Sequence, residues 1–282
     1  MHDLNYTDED HSTWRLFFQE FQQHVGKNQD FIHPFYLENL QVLDSFGEEI
    51  PTLRDINRLI EPIGWSAQYV DGYAPGWEIA RMLNQKVIPI SAKLRKPEEV
   101  FFAHEPDLIH DVFGHIPTLF SKEYCSLLKR WSSISAILPV QESDRSQFHL
   151  NKLIANEGQS VAQIDKLKQA ASLVTAFMSK NPSPVYLADK AYFWIFEFGM
   201  LKDKDRAKVF GAGLMTSMNE LNKIASGDYE VAPISYEKLL EESLISDMQN
   251  SYLLADDLST LEASIDRISH SLMSLMGSHS YA

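Results

Sequence analysis

Two histidines and one glutamate carry the clearest chemical signal in this sequence. His110 and His115 lie five positions apart, and Glu197 follows 82 residues after His115. Two neutral imidazoles and one carboxylate can occupy one face of an octahedral metal ion and leave the opposite positions free for oxygen or a substrate. Because this is the donor set of non-haem Fe(II) oxygenases, the three residues predict a metal centre that reacts with oxygen.

The residues around the histidines predict a short helix. Residues 105–107, a Glu-Pro-Asp run, are typical of a helix start, because proline fits the first turn and acidic side chains favour its positive end. Pro117 ends the segment. In an α-helix, side chains five positions apart point about 140° away from each other, so His110 and His115 share no face unless Gly114 relaxes the turn. The spacing also differs from that of helical zinc proteases, which disfavours such a hydrolase.

The histidine pair alone is a weak signal, because the chain has 10 histidines and such residues are usually hydrogen-bonded in a core or on a surface. The segment around Glu197 decides between these alternatives. Residues 192–199 read YFWIFEFG, an apolar and aromatic run with a single carboxylate. Burying an unpaired charge costs free energy, so Glu197 must be paired, hydrogen-bonded, protonated or bound to a metal, and metal ligation satisfies it best.

Three segments of the chain resemble a known family. Residues 105–120 (EPDLIHDVFGHIPTLF), 192–202 (YFWIFEFGMLK) and 210–221 (FGAGLMTSMNEL) are similar, in this order, to motifs of the tetrahydropterin-dependent aromatic amino acid hydroxylases. That family comprises phenylalanine, tyrosine and tryptophan hydroxylases. The resemblance extends more loosely from about residue 50 to the C-terminal helix. It implies a fold that is mainly α with minor β, a single catalytic domain of the aromatic amino acid hydroxylase type.

The resemblance also implies the cofactors and the reaction. His110, His115 and Glu197 would bind Fe(II), and a tetrahydropterin would serve as the reduced co-substrate. In the family, iron and pterin together activate O2, and the ring of an aromatic amino acid is hydroxylated. The protein supplies position and a dry cavity, so no general base is required.

Substrate-binding residues are implied where this sequence matches the family. Arg95 lies 15 residues before His110, where the family has an arginine that holds the substrate carboxylate, and Asp107 matches the aspartate that steadies it. A guanidinium fork is well suited to this bidentate task. The alternative is a surface arginine in the charged run 93–99.

Further positions are assigned on the same resemblance. Thr216 and Ser217 match two family serines near the iron, the first with a conservative change, and are assigned to the substrate. The pterin is assigned to Tyr192 and to an aromatic residue that would stack on its ring, either Trp77 or Tyr73, in a loop that aligns only with a gap.

Two departures from the family bear on the substrate. Ala103 replaces a threonine that helps to bind the amino-acid carboxylate in many relatives, so Arg95 would act with a different helper. Phe193 replaces the tryptophan of phenylalanine and tyrosine hydroxylases, whereas tryptophan hydroxylases commonly have phenylalanine there. The smaller ring favours tryptophan, but the short chain is similar to bacterial-type phenylalanine 4-hydroxylases. Phenylalanine is therefore the predicted substrate, with tryptophan or an altered ring position as the alternative.

The chain is predicted as one catalytic domain over residues 1–282 with an insertion at about 137–184, because the connection between the second histidine and the glutamate is longer than the family needs. Apolar residues at helical spacing predict an added helix between Gly158 and Asn181: Val161, Ile164, Leu167, Leu173, Val174 and Phe177. Two interpretations of the insertion stay open: a lid or partner-binding element, and a peripheral hairpin packed on the core. The catalytic region begins almost at once, so no N-terminal regulatory domain is expected.

Composition restricts the partners. A net charge of −14 argues against a nucleic-acid partner, because phosphate binding needs clustered Lys and Arg. No apolar run reaches the about 18 residues that span a bilayer, and the N-terminus is not signal-like, so no membrane partner and a cytoplasmic location are predicted. The single cysteine, Cys125, suits a reducing compartment.

Periodic patterns predict the elements around these motifs. A capping sequence at residues 7–10 predicts a helix that ends at Gly26, residues 52–60 predict another helix, and residues 87–90 an edge strand or extended loop. A C-terminal stripe predicts a last helix that packs on the core, with a dimer coil as the alternative: Leu258, Leu261, Ile265, Ile268, Leu272 and Leu275. The protein is accordingly expected to be a monomer or a small homo-oligomer.

Two other function classes stay open. A metal-dependent hydrolase can use the same ligands with zinc, but it would need a nearby acid or base and would not need the aromatic residues around Glu197. A non-catalytic binding protein can retain the fold with the inserted segment as its interaction surface. Intact metal ligands disfavour the second class.

Overall fold

Helices account for most of the computed structural model, which describes residues 4–70, 74–155, 159–241 and 248–278. The α-helices, α1 to α12 in chain order, are Asp8–Asn28, Pro34–Leu37, Leu53–Ile60, Gly76–Asn84, Lys122–Ser135, Glu142–Ala155, Val161–Lys180, Pro184–Tyr192, Ala212–Thr216, Met218–Ser226, Tyr236–Glu241 and Leu258–Ser278. The strands, β1 to β6, are Ser66–Val70, Val87–Ser91, Met200–Asp203, Arg206–Val209, Glu230–Pro233 and Ser251–Ala255. The fold is mainly α with minor β, as predicted. None of the described helices is long and apolar enough to cross a membrane.

Helix α1 begins at a capping box and packs on the segment that carries the histidines. The Asp10 N–H donates to the Thr7 hydroxyl at 3.2 Å, and the Thr7 N–H donates to the Asp10 carboxylate at 2.7 Å. The helix continues past Gly26, its predicted end, to Asn28. Aromatic side chains of α1 surround the Phe113 ring at centroid distances of 4.9 to 5.1 Å: Trp14, Phe17 and Phe21. This packing holds the histidine segment from behind.

The strands form two small sheets. β1 and β2 pair in parallel, with Gln68 opposite Pro89, so residues 87–90 form a strand. Proline is tolerated there because each strand of a two-stranded sheet is an edge strand. The second sheet has the order β4-β3-β6-β5, in which β3 and β4 are antiparallel and the other pairs are parallel.

Helix α12 packs its apolar stripe on the rest of the molecule. Four of the predicted stripe residues are buried: Leu261, Ile265, Ile268 and Leu272. They face α5 and α8. At the edge of the stripe, Arg130 of α5 donates to both carboxylate oxygens of Asp266 at 2.9 Å. The prediction of a last helix that packs on its own core is confirmed.

Helices α6 and α7 form a hairpin within the predicted insertion. The helix predicted there is α7, and its buried residues are Ala171 and Met178. Three residues of the predicted apolar stripe are exposed instead, Val161 by 77%, Leu173 by 73% and Phe177 by 55%. The helix was therefore predicted correctly and its buried face only in part, because α7 packs mainly against α6.

The hairpin contacts two other helices. The Phe148 ring of α6 lies 5.6 Å from the Trp77 ring of α4. The Asp144 carboxylate of α6 accepts the Ser183 hydroxyl at 2.5 Å, at the N-terminal cap of α8. The hairpin therefore touches α4 and α8, which both contribute to the site described next.

Candidate metal and substrate site

Both histidines lie on a π-helical turn, His110–His115, in which backbone hydrogen bonds join residues five positions apart. In this geometry the first and last side chains lie one above the other. The α-helical geometry expected from the sequence, with the side chains about 140° apart, is corrected by this finding. The two imidazole rings lie 5.0 Å apart between centroids, at an angle of 81°, and both residues are buried.

Two glycines allow α9 to pack against the histidine turn and the glutamate segment. A Cβ at Gly114 would lie 2.8 Å from the Ala212 Cβ and 2.9 Å from the Ala212 carbonyl oxygen. A Cβ at Gly211 would lie 2.3 Å from the carbonyl oxygen of Glu197. All three distances are too short for a real side chain. The glycine-rich start of α9 therefore contacts both ligand segments and fixes them relative to each other.

Glu197 ends a second π-helical turn, Phe193–Glu197, which directly follows α8. The Phe198 N–H donates to the Phe193 carbonyl at 2.9 Å, again between residues five positions apart. The rings of Trp194 and Phe196 are buried and anchor this turn in the core. The carboxylate of Glu197 can therefore turn toward the histidines while its neighbours pack.

The Glu197 carboxylate bridges the two imidazoles. Its Oε2 lies 3.2 Å from His110 Nε2, and its Oε1 lies 3.2 Å from His115 Nε2. Two donor atoms that each bind one ion at about 2.1 Å and at right angles are about 3 Å apart. The structure therefore brings the three residues predicted as ligands into contact, with each imidazole at one oxygen of the same carboxylate.

The Thr216 hydroxyl is placed to favour the tautomer of His110 that carries its proton on Nδ1. Thr216 Oγ1 donates to the Ala212 carbonyl at 2.9 Å and lies 3.3 Å from His110 Nδ1. Because the hydroxyl proton is used on Ala212, Oγ1 accepts from Nδ1–H. The lone pair on Nε2 then faces Glu197 and is available to a metal ion.

A second carboxylate lies beside the histidines. Ligand atoms of His110, Asp111 and His115 lie within 4.8 Å of one another. However, the Ser91 N–H donates to Asp111 Oδ2 at 2.6 Å, which ties this carboxylate to β2. Glu197 instead places one oxygen at each imidazole. Asp111 is therefore an alternative third ligand, although one of its oxygens already accepts a hydrogen bond from β2.

Charge in the site matches this arrangement. Burial alone would raise the pKa of Glu197, but His115 and His110 outweigh burial and hold that pKa well below its usual value. Burial raises the pKa of Asp111 to about 6, although both histidines and the Ser91 N–H limit the rise. Glu197 is therefore the more readily ionised carboxylate of the two.

A cavity of about 300 Å³ opens beside the histidines and Glu197. Its lining is mostly apolar and includes Ile79 and Phe102 as well as aromatic residues near Glu197: Trp131, Tyr192, Phe193 and Phe198. Arg95 and Thr216 contribute polar atoms to the wall. A largely apolar cavity with a few converging polar groups is what a small aromatic ligand needs.

Arg95 is buried against Asp107. Its Nε and Nη2 donate to Asp107 Oδ2 and Oδ1 at 3.0 and 2.8 Å, and its backbone N–H donates to Oδ2 at 2.7 Å. Both side chains are 3% exposed, which excludes the surface alternative. Arg95 Nη1 donates to the Thr216 carbonyl at 3.3 Å. Asp107 therefore holds the guanidinium in a fixed orientation at the cavity wall.

The other predicted site residues fall in different places. Ser217 and Phe193 line the cavity. Tyr192 also lines it, with its ring 4.8 Å from that of Trp131. The Trp77 ring packs against the hairpin instead, and Tyr73 lies outside the described residues.

Sequence reasoning missed several cavity residues, among them Ile79, Trp131 and Asp189. Ile79 and Trp131 give no signal, because apolar residues at helical spacing look like any core position. Asp189 could have been found, since it lies three and four positions before Tyr192 and Phe193 and therefore on the same helical face.

Comparison with known proteins identifies the family. A model of the biopterin-dependent aromatic amino acid hydroxylases matches residues 1–140 and 162–277. The chain belongs to this family. The unmatched residues 141–161 lie within the predicted insertion.

The chain is similar to curated enzymes and to a solved structure. It is 23% identical to tyrosine 3-monooxygenase of Caenorhabditis briggsae over 95% of this chain and 44% of that protein. It is 24% identical to tryptophan 5-hydroxylase of Xenopus laevis over 90% of this chain and 44% of that protein, so it spans less than half the length of either. A structure of Chromobacterium violaceum phenylalanine hydroxylase with bound iron(III) and 7,8-dihydrobiopterin has a TM-score of 0.69 at 19% identity, covering 97% of this chain and 84% of that chain. This likeness shows that the two share a fold.

Proposed function

We propose that this protein is an iron- and tetrahydropterin-dependent monooxygenase that hydroxylates the ring of an aromatic amino acid, with L-phenylalanine as its substrate. The observation that carries the proposal is the contact of the His110 and His115 Nε2 atoms with one carboxylate, that of Glu197, beside a largely apolar cavity. Family membership supports the reaction class.

His110, His115 and Glu197 would hold Fe(II), which fits a donor set of two neutral imidazoles and one carboxylate. When bound, iron and the reduced pterin supply the activation of O2. The chain itself holds the ligands in place through Thr216 and through the close packing of α9. Its cavity wall is largely apolar, and an apolar surrounding strengthens polar contacts inside.

Arg95 would bind the α-carboxylate of the amino acid. Its guanidinium is fixed by Asp107, so little conformational entropy is lost on binding. Phe193 and Phe198, with ring centroids 4.5 Å apart, would contact the aromatic ring of the substrate. Ser217 adds a hydroxyl to the same wall and would complete the polar end of the amino-acid site.

Tryptophan is the alternative substrate, and an altered ring position is a second alternative. Phe193 supports tryptophan, because a phenyl ring leaves more room in the cavity than an indole at the same position. The similarity to bacterial phenylalanine hydroxylases supports phenylalanine. Purified protein with Fe(II), a tetrahydropterin and each of phenylalanine, tryptophan and tyrosine in parallel tests this choice, with the hydroxylated products identified by mass spectrometry.

The pterin would bind beside Tyr192 and Trp131, whose rings form a continuous apolar surface. Trp77 or Tyr73 as the stacking aromatic stays a prediction. A flat bicyclic ring gains dispersion energy on such a surface.

Anaerobic reconstitution separates this proposal from the other function classes. Protein loaded with Fe(II) should consume O2 in the presence of a tetrahydropterin and phenylalanine, whereas protein loaded with Zn(II) should not. Hydrolysis supported by Zn(II) would favour a hydrolase. Stoichiometric iron binding without hydroxylation of any aromatic amino acid would favour a binding protein.

The remaining assignments are proposals about organisation. We propose one catalytic domain over residues 1–282 with an insertion at 137–184, acting as a cytoplasmic monomer or small homo-oligomer. The contact of Phe148 with Trp77 supports a lid, because α4 also supplies Ile79 to the cavity. Deletion of residues 140–182 tests this idea, and unchanged turnover and substrate preference would favour the peripheral hairpin.

A further inference from the structure

Asp189 is a carboxyl group in the cavity wall to which neither the family motifs nor the metal centre assigns a task. It lies on α8, one turn before Tyr192, and lines the same cavity as His110 and Glu197. Among the described residues, none forms a hydrogen bond or ion pair with its carboxyl oxygens. Asp144, on the inserted hairpin, is its charged neighbour and opposes ionisation of Asp189.

The fold makes room for this carboxyl group. A Cβ at Gly76 would lie 2.0 Å from Asp189 Oδ1 and 2.6 Å from Oδ2. A side chain at position 76 would therefore have to displace the Asp189 carboxyl group from this place. Asp189 is partly buried, and a partly buried carboxyl group without a protein partner costs free energy. A costly group that faces a ligand cavity is a candidate for ligand recognition.

The cavity wall has two polar parts of opposite character. Arg95, with Asp107 and the Thr216 carbonyl, forms a cationic part that suits an anionic group. Asp189 lies with Gly76 in another part, beside Tyr192 and Trp131. A substrate carboxylate is favoured at Arg95 and disfavoured at Asp189. The α-ammonium group of an amino acid is bonded to the same carbon as the carboxylate and stays next to it at the Arg95 part. The phenyl ring then offers Asp189 no hydrogen-bond donor, whereas a tetrahydropterin carries several ring N–H groups and no negative charge.

We propose that Asp189 is a specificity-determining residue for the pterin, whose N–H groups hydrogen-bond to its carboxyl oxygens. This inference rests on the proposed function. Burial and Asp144 raise the pKa of Asp189 to about 8, so the group is largely protonated at neutral pH and also has an O–H to donate. An asparagine side chain has a similar shape, with one group that donates and one oxygen that accepts, so it should take over the hydrogen bonds of Asp189.

Titration of the Fe(II)-loaded protein with 7,8-dihydrobiopterin under anaerobic conditions, followed by calorimetry, tests the inference without turnover. Asp189→Ala should weaken dihydrobiopterin binding about tenfold, the effect of losing one hydrogen bond to a partly buried group. Asp189→Asn should restore most of the affinity. L-Phenylalanine should bind all three proteins within about twofold, since Arg95 is unchanged.

Controls make the outcomes distinct. Asp205→Asn removes an exposed carboxylate at a positive φ of 66°, which asparagine tolerates, and should bind dihydrobiopterin like the wild type. Unchanged dihydrobiopterin affinity in Asp189→Ala, or a loss confined to phenylalanine, would overturn this inference alone. A wild-type protein that binds Fe(II) but no dihydrobiopterin would overturn the proposed function as well. Thermal melting of both Asp189 variants shows whether they are folded, and Asp189→Asn keeps the test valid if Asp189→Ala is not.

Discussion

Replacing Thr216 by valine should weaken iron binding although Thr216 is not a metal ligand. Valine keeps the shape of threonine and removes the hydroxyl that accepts from His110 Nδ1 at 3.3 Å. The imidazole then loses the group that keeps the proton on Nδ1 and Nε2 free. The residue is 3% exposed, so solvent cannot easily replace the hydroxyl.

The magnitude follows from two sources. A buried polar group left without its hydrogen bond costs about 1–3 kcal/mol, which corresponds to about 5- to 150-fold in a dissociation constant. Loss of a group that orients a ligating histidine typically costs about 10- to 100-fold in metal affinity. We therefore expect the Fe(II) dissociation constant of Thr216→Val to rise about 10- to 100-fold, whereas Thr216→Ser, which retains the hydroxyl, should stay within about threefold.

Competition with a coloured ferrous chelator under anaerobic conditions measures these constants. Thr13→Val is a matched control, because the Thr13 hydroxyl also donates to a carbonyl four residues back, that of Glu9 at 3.0 Å, and Thr13 is 2% exposed. It should lower stability without changing iron affinity. Equal iron affinity in Thr216→Val and the wild type would refute the assigned proton position on His110.

Three further predictions follow from packing, shape and charge. Gly114→Ala should lower the melting temperature, because the new Cβ would lie 2.8 Å from the Ala212 Cβ and overpacking costs about 1–3 kcal/mol. Gly26→Ala is the control, since a Cβ there would have nothing within 4 Å, and its melting temperature should not fall. Equal melting temperatures of the two variants would contradict this prediction. Phe193→Trp should shift the ratio of kcat/KM values toward phenylalanine and away from tryptophan, and an unmoved ratio would show that Phe193 is not the selector. Asp189→Asn should flatten the pH dependence of stability between about pH 4 and 8. The pKa of Asp189 is raised from 3.8 to about 8, so the folded state binds the proton more tightly than the unfolded state. The stability that this proton contributes is lost as the pH rises through that window, by up to about 1.4 kcal/mol per pH unit. Urea unfolding at pH 5 and pH 8 checks this, and parallel behaviour of wild type and variant would count against it.

The sequence predicted the helical fold and singled out three side chains that the structure brings into contact, because both depend on residue types and spacing. Their binding of a metal stays a prediction. It did not predict how two histidines five apart share a face. That depends on the π-helical turn at His110–His115, whose stabilisation comes from packing of α9 on Gly114 and of α1 on Phe113.

Other parts of the site depend on contacts between distant segments. Arg95 was expected at the substrate, but its burial on Asp107 and its contact with Thr216 required the fold. Thr216 was assigned to the substrate site, and its hydroxyl also lies 3.3 Å from His110 Nδ1, a contact that only the fold shows. The sequence pattern predicted that the apolar face of α7 is buried, but several of its residues are exposed. Periodicity shows that a helix has an apolar face and does not show which element covers that face.

Iron titration of two isosteric variants tests the central claim most directly. Glu197→Gln removes the carboxylate that contacts both Nε2 atoms, whereas Asp111→Asn keeps an oxygen that can accept from the Ser91 N–H. Anaerobic titration with Fe(II) should show one ion per chain in the wild type and in Asp111→Asn, and a large loss of affinity in Glu197→Gln. Retained binding in Glu197→Gln with loss in Asp111→Asn would contradict the assignment of His110, His115 and Glu197 as the metal ligands.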